Sequence, residues 1–136
     1  MSVAYGTGPK GKATRLHAEI TRARGVCEAC ARFGPLLNKD GSHAPSVPLE
    51  CAHIVSRTYS NTRTSLDNSF ALCSAHHRHF TGWPLEFSVF VVEMIGEQHY
   101  RELRSIALEN RVWKQSDWVD EVARLQAIKA TIEAAA

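Results

Sequence analysis

The chain has 136 residues, 44% of them hydrophobic and 22% charged, and carries a formal net charge of +2. These proportions are those of a single ordinary globular domain. No apolar run approaches the roughly 20 residues that span a bilayer, and the start of the chain lacks the apolar core of an export signal. The expectation is a cytoplasmic protein with no membrane association.

Residues 1–12, rich in Gly with Pro9, read as a flexible basic arm. A helix is expected over 13–24, where Leu16, Ile20 and Ala23 recur at helical spacing and Gly25 is the first breaker. Gly25 opens a tight knuckle that carries Cys27 and Cys30. Residues 34–48 are loop-like, with a turn at Asn38-Lys39-Asp40-Gly41. A short strand follows over 49–55, then a loop of Ser, Thr and Asn over 58–67, a second short strand over 69–72 and the first turns of a helix over 74–80.

After Thr81-Gly82-Trp83-Pro84 the pattern becomes helical. Residues 85–95 form an apolar helix ended by Gly96, and 97–110 form another with Tyr100, Leu103, Ile106 and Ala107 on one face. A third begins at Ser116, read as its N-cap, with Val119, Val122, Leu125 and Ile128 as its buried stripe. The division is therefore an arm over 1–12, a metal-bearing domain over 13–82 and a helical extension over 83–136, which packs on the core or mediates contacts.

Charge is unevenly placed. Residues 1–24 hold Lys10, Lys12, Arg15, Arg22 and Arg24 against Glu19, and residues 52–82 hold Arg57, Arg63 and Arg78 against Asp67. A basic front half suits a face presented to a polyanion.

The four cysteines carry the strongest chemical signal. Without an export signal the cytosol keeps thiols reduced, so x-x spacing favours metal over disulfide. Cys27 and Cys30, with Cys73 and His76, form two such pairs, the arrangement of a tetrahedral Zn²⁺ site. Cys51 and His79 are alternatives for the fourth ligand, and Cys51 is otherwise a buried strand thiol. His77 points about 100° away from His76 on a helix, toward a different cleft. His53, at the end of the first strand, is a suitable base for water if its other ring nitrogen is held. Asn68 is the polar residue that pins the adjacent loop or supplies such a contact.

The order Cys-x-x-Cys, then Leu49-Glu50-x-x-His53-Ile54, then Asn68 followed by Cys73, His76 and His77, resembles the HNH endonucleases, and the resemblance runs from about Arg22 to Thr81. It implies an α+β fold with a small ββα-metal (His-Me finger) core and a structural zinc knuckle, flanked by an N-terminal helix and C-terminal helices. It also implies a DNA endonuclease with His53 as general base, Asn68 in support and His77 holding one catalytic ion, Mg²⁺, Mn²⁺ or another divalent ion. Arg57 and Arg63 resemble a form of the motif seen in phage and prophage members, and with Arg78 they are the expected phosphate contacts. Many members carry Asp or His before the base as a second metal ligand; here that residue is Ala52, and strand alternation sets Glu50 opposite His53. The partner expected is double-stranded DNA, with a homodimer or a phage protein at the C-terminal helices. The alternative is a catalytically inactive zinc-stabilised DNA-binding or phage-packaging module.

Overall fold

A computed structural model describes residues 6–44 and 48–136. In chain order it contains α1 (Pro9–Arg22), α2 (Glu28–Phe33), β1 (Leu49–His53), α3 (Ser60–Arg63), a 3-10 turn (Leu66–Asn68), β2 (Ser69–Cys73), α4 (Ser74–Gly82), α5 (Pro84–Ile95), α6 (Glu97–Ala107) and α7 (Gln115–Ala135). The two strands pair antiparallel, with Leu49 opposite Cys73, Ala52 opposite Phe70 and His53 opposite Ser69. β2 runs straight into α4. The molecule is thus a helical protein around a small two-stranded sheet.

Each face of the sheet is covered by a different helix. Successive strand residues point to opposite faces, and β1 follows this closely: Glu50 reaches Ser74 and His77 of α4, whereas Cys51 and His53 meet His17 of α1. On the α4 side Phe70, Phe80 and Phe90 pack with ring centroids 4.9 and 5.0 Å apart, and Leu72 and Val91 complete the cluster. Truncating Phe90, which is 1% exposed, removes a ring from this cluster at a cost of about 3–5 kcal/mol.

A second cluster joins the ends of the chain. Ala13, Leu16 and Ile20 of α1 pack against Trp118, Val122 and Leu125 of α7. Asn61 bonds the carbonyls of Ile106 and Glu109 through its amide and accepts from Trp113 Nε1, tying the α6–α7 connection to α3.

Several boundaries differ from those read in the sequence. α1 begins at Pro9, whose ring suits a first helical position, so the expected arm is already helical over residues 9–12; residues 1–5 lie outside the described part. Residues 60–63 form the short α3 within the expected loop. α7 is capped by Lys114 rather than Ser116, because the Asp117 carboxylate accepts the Lys114 backbone N–H at 2.8 Å. Trp118 takes the buried position, and Val119 is exposed. Ile106 is likewise exposed, while Leu103 and Ala107 face inward. Gly96 joins α5 to α6 at φ +85°, a conformation that only glycine adopts without strain.

Candidate metal centre and candidate active site

The zinc-ligand pairs are brought together by two matched turns. Cys27 is the N-cap of α2 and its sulfur accepts the Cys30 N–H at 3.3 Å; Cys73 is the N-cap of α4 and accepts the His76 N–H at 3.4 Å. In both pairs the first ligand therefore caps the helix that carries the second. The turns are docked by Glu28, whose carboxylate accepts the Ala71 N–H of β2 at 2.7 Å and pairs with Arg24 at 3.1 Å. Arg24 also donates to the Ser69 and Leu66 carbonyls.

The resulting cluster has the dimensions of a tetrahedral site. His76 Nδ1 lies 3.6, 3.3 and 3.4 Å from the sulfurs of Cys27, Cys30 and Cys73, and the Cys30 and Cys73 sulfurs are 3.8 Å apart. Sulfur and nitrogen ligands around a tetrahedral zinc ion stand about 3.5–3.8 Å from one another. The four residues could hold a metal ion such as zinc. Burial and the neighbouring Cys27 and Cys73 thiols push the Cys30 thiol up to about 12, so three adjacent thiolates need a cation among them. The two alternative fourth ligands are engaged elsewhere: His79 pairs with Glu86, and Cys51 lies 3.8 Å from His17 Nδ1.

His77 leaves α4 on the other side from His76. With His53 it lines a cleft of about 110 Å³, completed by Ala52, Phe80, Thr81 and Phe87. A larger groove of about 530 Å³, between α2 and α5, is walled mainly by Phe33, Leu36, Leu85, Val89 and Phe90, with His76, His79, Glu86 and Glu93 also on its lining.

Backbone and carboxylate acceptors fix the ring protons at the cleft. His53 Nε2 lies 2.9 Å from the Arg63 carbonyl, which can only accept, so Nε2 carries the proton and Nδ1 the lone pair. Burial, then the charges of Arg57, Arg63 and His77, outweigh the Arg63 carbonyl and hold His53 below the usual histidine value. His77 Nδ1 lies 2.8 Å from Glu50 Oε1, so Nδ1 carries that ring's proton and Nε2 is left as the ligand atom.

Asn68, fully buried, is the keystone of the loop between the strands. Its Oδ1 accepts the Val55 N–H at 2.8 Å, and its Nδ2 donates to the carbonyls of Val55 and Thr62, both at 3.0 Å. Holding Thr62 holds Arg63 next to it, and hence the carbonyl that orients His53.

Arg57 and Arg78 are exposed. Arg63 is half-buried, its Nε on Thr14 Oγ1 at 2.7 Å and its Nη1 on the Arg57 carbonyl at 2.8 Å. Its guanidinium thus ties α1 to the loop that leads into α3.

Glu50 faces away from His53, as strand alternation implies, but α4, and therefore His77, lies on that same side. One residue at the site escaped the sequence reading. His17, a single histidine on an amphipathic helix, carried no local signal, yet its ring centroid is 5.1 Å from that of His53.

The site thus combines a two-stranded sheet leading into a helix, a Cys/His cluster that could hold a metal ion and a cleft lined by two histidines. The segment 27–81, less than half of the chain, matches the family described as HNH endonuclease. It contains both ligand pairs, β1, Asn68, β2 and most of α4. No curated protein and no solved structure matches the chain. None of the helices described is long and apolar enough to cross a membrane.

Proposed function

We propose that the protein is a metal-dependent DNA endonuclease that hydrolyses phosphodiester bonds, with His53 as general base and His77 as a ligand of the catalytic ion. The observation that carries this reading is the pair of fixed tautomers. His53 keeps a lone pair on Nδ1 and His77 keeps one on Nε2, and both rings line one cleft.

His53 takes the proton of the attacking water at Nδ1. The Arg63 carbonyl fixes the ring and accepts from the imidazolium formed by that transfer. Asn68 acts through the loop rather than on the phosphate. His77 Nε2 is the protein ligand for a divalent ion such as Mg²⁺ or Mn²⁺. The Glu50 carboxylate braces the ring from Nδ1, a common arrangement for metal-ligating histidines. When bound, the ion supplies Lewis-acid stabilisation of charge on the phosphate and the leaving oxygen. Arg57 and Arg78 contact phosphates flanking the scissile one, while Arg63 serves mainly to hold the loop.

The Cys27, Cys30, Cys73 and His76 cluster is a structural Zn²⁺ site that fixes α4, and so His77, against the sheet. In this reading residues 13–82 are the nuclease unit, and the helices after Pro84 brace it through α7 on α1. Relaxation of supercoiled plasmid tests the function: the protein should nick it with Mg²⁺ or Mn²⁺ and leave it intact in EDTA. DNA binding without cleavage under any divalent ion would favour the inactive binding module instead.

A further inference from the structure

His17, Cys51 and His53 form a second cluster, separate from the four-ligand site, on the α1 side of β1. One ligand atom from each lies within 4.8 Å of those of the other two. His17 is fully buried, and its Nε2 lies 2.9 Å from the Ser65 carbonyl. That acceptor places the proton on Nε2 and the lone pair on Nδ1, which faces the Cys51 sulfur at 3.8 Å. His53 is held in the same way by the Arg63 carbonyl. Two imidazoles, each donating Nε2–H to a main-chain carbonyl, thus lie beside one thiol, with the His17 Nδ1 lone pair turned toward it. Metal-ligating histidines are typically braced in this manner.

The surroundings of Cys51 are polar rather than hydrocarbon. Thr21 and Ser69 adjoin it, their hydroxyls 2.9 Å from each other; burial pushes the Cys51 thiol up, and these hydroxyls with Arg24 and Arg22 offset only part of that. A cysteine serving only as core filling does not call for two braced imidazoles and a pair of hydroxyls around it. Two nitrogens and one sulfur select a borderline-soft ion of the Zn²⁺ class over Mg²⁺, which takes oxygen ligands. Three protein ligands also leave one coordination position open.

We infer that His17, Cys51 and His53 form a binding site for Zn²⁺ or a similar thiophilic ion, and that its occupancy switches the nuclease off by engaging the base. The binding site stands on geometry alone; the inhibitory consequence rests on the role proposed for His53. A bound ion withdraws the His53 lone pair from water, so an ion that stabilises the fold at one cluster inhibits at the other.

Zinc stoichiometry at equilibrium, read on the full chain without DNA, separates the two parts. Cys51→Ser leaves the structural cluster and His77 unchanged, and His17→Gln keeps a donor for the Ser65 carbonyl. Each should hold one zinc fewer than wild type while retaining a cooperative thermal melt. With Co²⁺ as probe, Cys51→Ser should lose part of the thiolate charge-transfer absorption. Equal stoichiometry and equal absorption in wild type and Cys51→Ser would overturn the site. In the nicking assay, Zn²⁺ added to the Mg²⁺ reaction should inhibit wild type and spare Cys51→Ser. Equal inhibition of both overturns the switch even if the stoichiometry differs. If wild type fails to nick DNA with any divalent ion, the proposed nuclease function fails, and the stoichiometry still decides the site.

Discussion

Glu50 and His77 sit on different elements, β1 and α4, yet Glu50 Oε1 lies 2.8 Å from His77 Nδ1. Both side chains are partly exposed, at 45% and 36%, so the contact adds little to stability. Its consequence is orientation: the carboxylate fixes the proton on Nδ1 and leaves Nε2 for an ion. Glu50→Gln keeps an acceptor for Nδ1–H and removes the charge. The divalent-ion concentration for half-maximal nicking should rise about 10–100-fold, with the melting temperature nearly unchanged. An unchanged ion dependence would exclude Glu50 from the metal site.

Burial, followed by the nearby His53, lowers His17 to about 4. A histidine depressed in the folded state is bound there in its neutral form, so its contribution to stability is complete above the unfolded value of about 6.5 and is lost as pH falls toward 4. The shift corresponds to about 3 kcal/mol. Denaturant midpoints should therefore fall between pH 6.5 and 4, and His17→Gln should flatten that part of the curve. A wild-type curve that is already flat there would show that His17 titrates normally.

Asn68→Ala removes three side-chain hydrogen bonds and leaves the Val55 N–H without its acceptor in a buried loop. The expected loss is about 2–4 kcal/mol, measured by denaturant unfolding. Asn68→Asp should be no better, since a carboxylate faces the Val55 and Thr62 carbonyls. Nicking should fall further than the unfolded fraction explains, because the Arg63 carbonyl loses its fixed position.

The parts legible in the sequence were those whose geometry is local. Two ligands separated by two residues must share a turn, so Cys27, Cys30, Cys73 and His76 could be grouped before any fold was known. Alternation along β1 correctly separated Glu50 from His53. What a strand pattern does not contain is which helix covers which face, and that decided the roles of Glu50 and His17. The start of α7 was misplaced for a related reason: Asp117 reaches back to the Lys114 N–H, a reciprocal cap that outweighs the local preference of Ser116 for the N-cap. Trp118 displaced Val119 from the core because α1, lying against α7, offers Ala13 and Leu16 to a large ring.

Zinc removal tests the structural cluster. Structural zinc binding contributes folding free energy directly, so a strong chelator should lower the melting temperature substantially, and Cys27→Ser should do the same without chelator. Cys51→Ser should leave the chelator-sensitive transition in place. Equal melting with and without zinc would remove the structural role assigned to the cluster.

The most direct test of the central claim is supercoiled-plasmid nicking by wild type and His53→Ala, with Mg²⁺ or Mn²⁺, across pH 5–8 (about the range in which imidazole titrates). Wild type should nick DNA, losing activity on the acid side with a midpoint below the ordinary histidine value of about 6.5. His53→Ala should melt cooperatively, bind DNA and fail to nick at any pH. A His53→Ala protein that cuts as well as wild type would contradict the account.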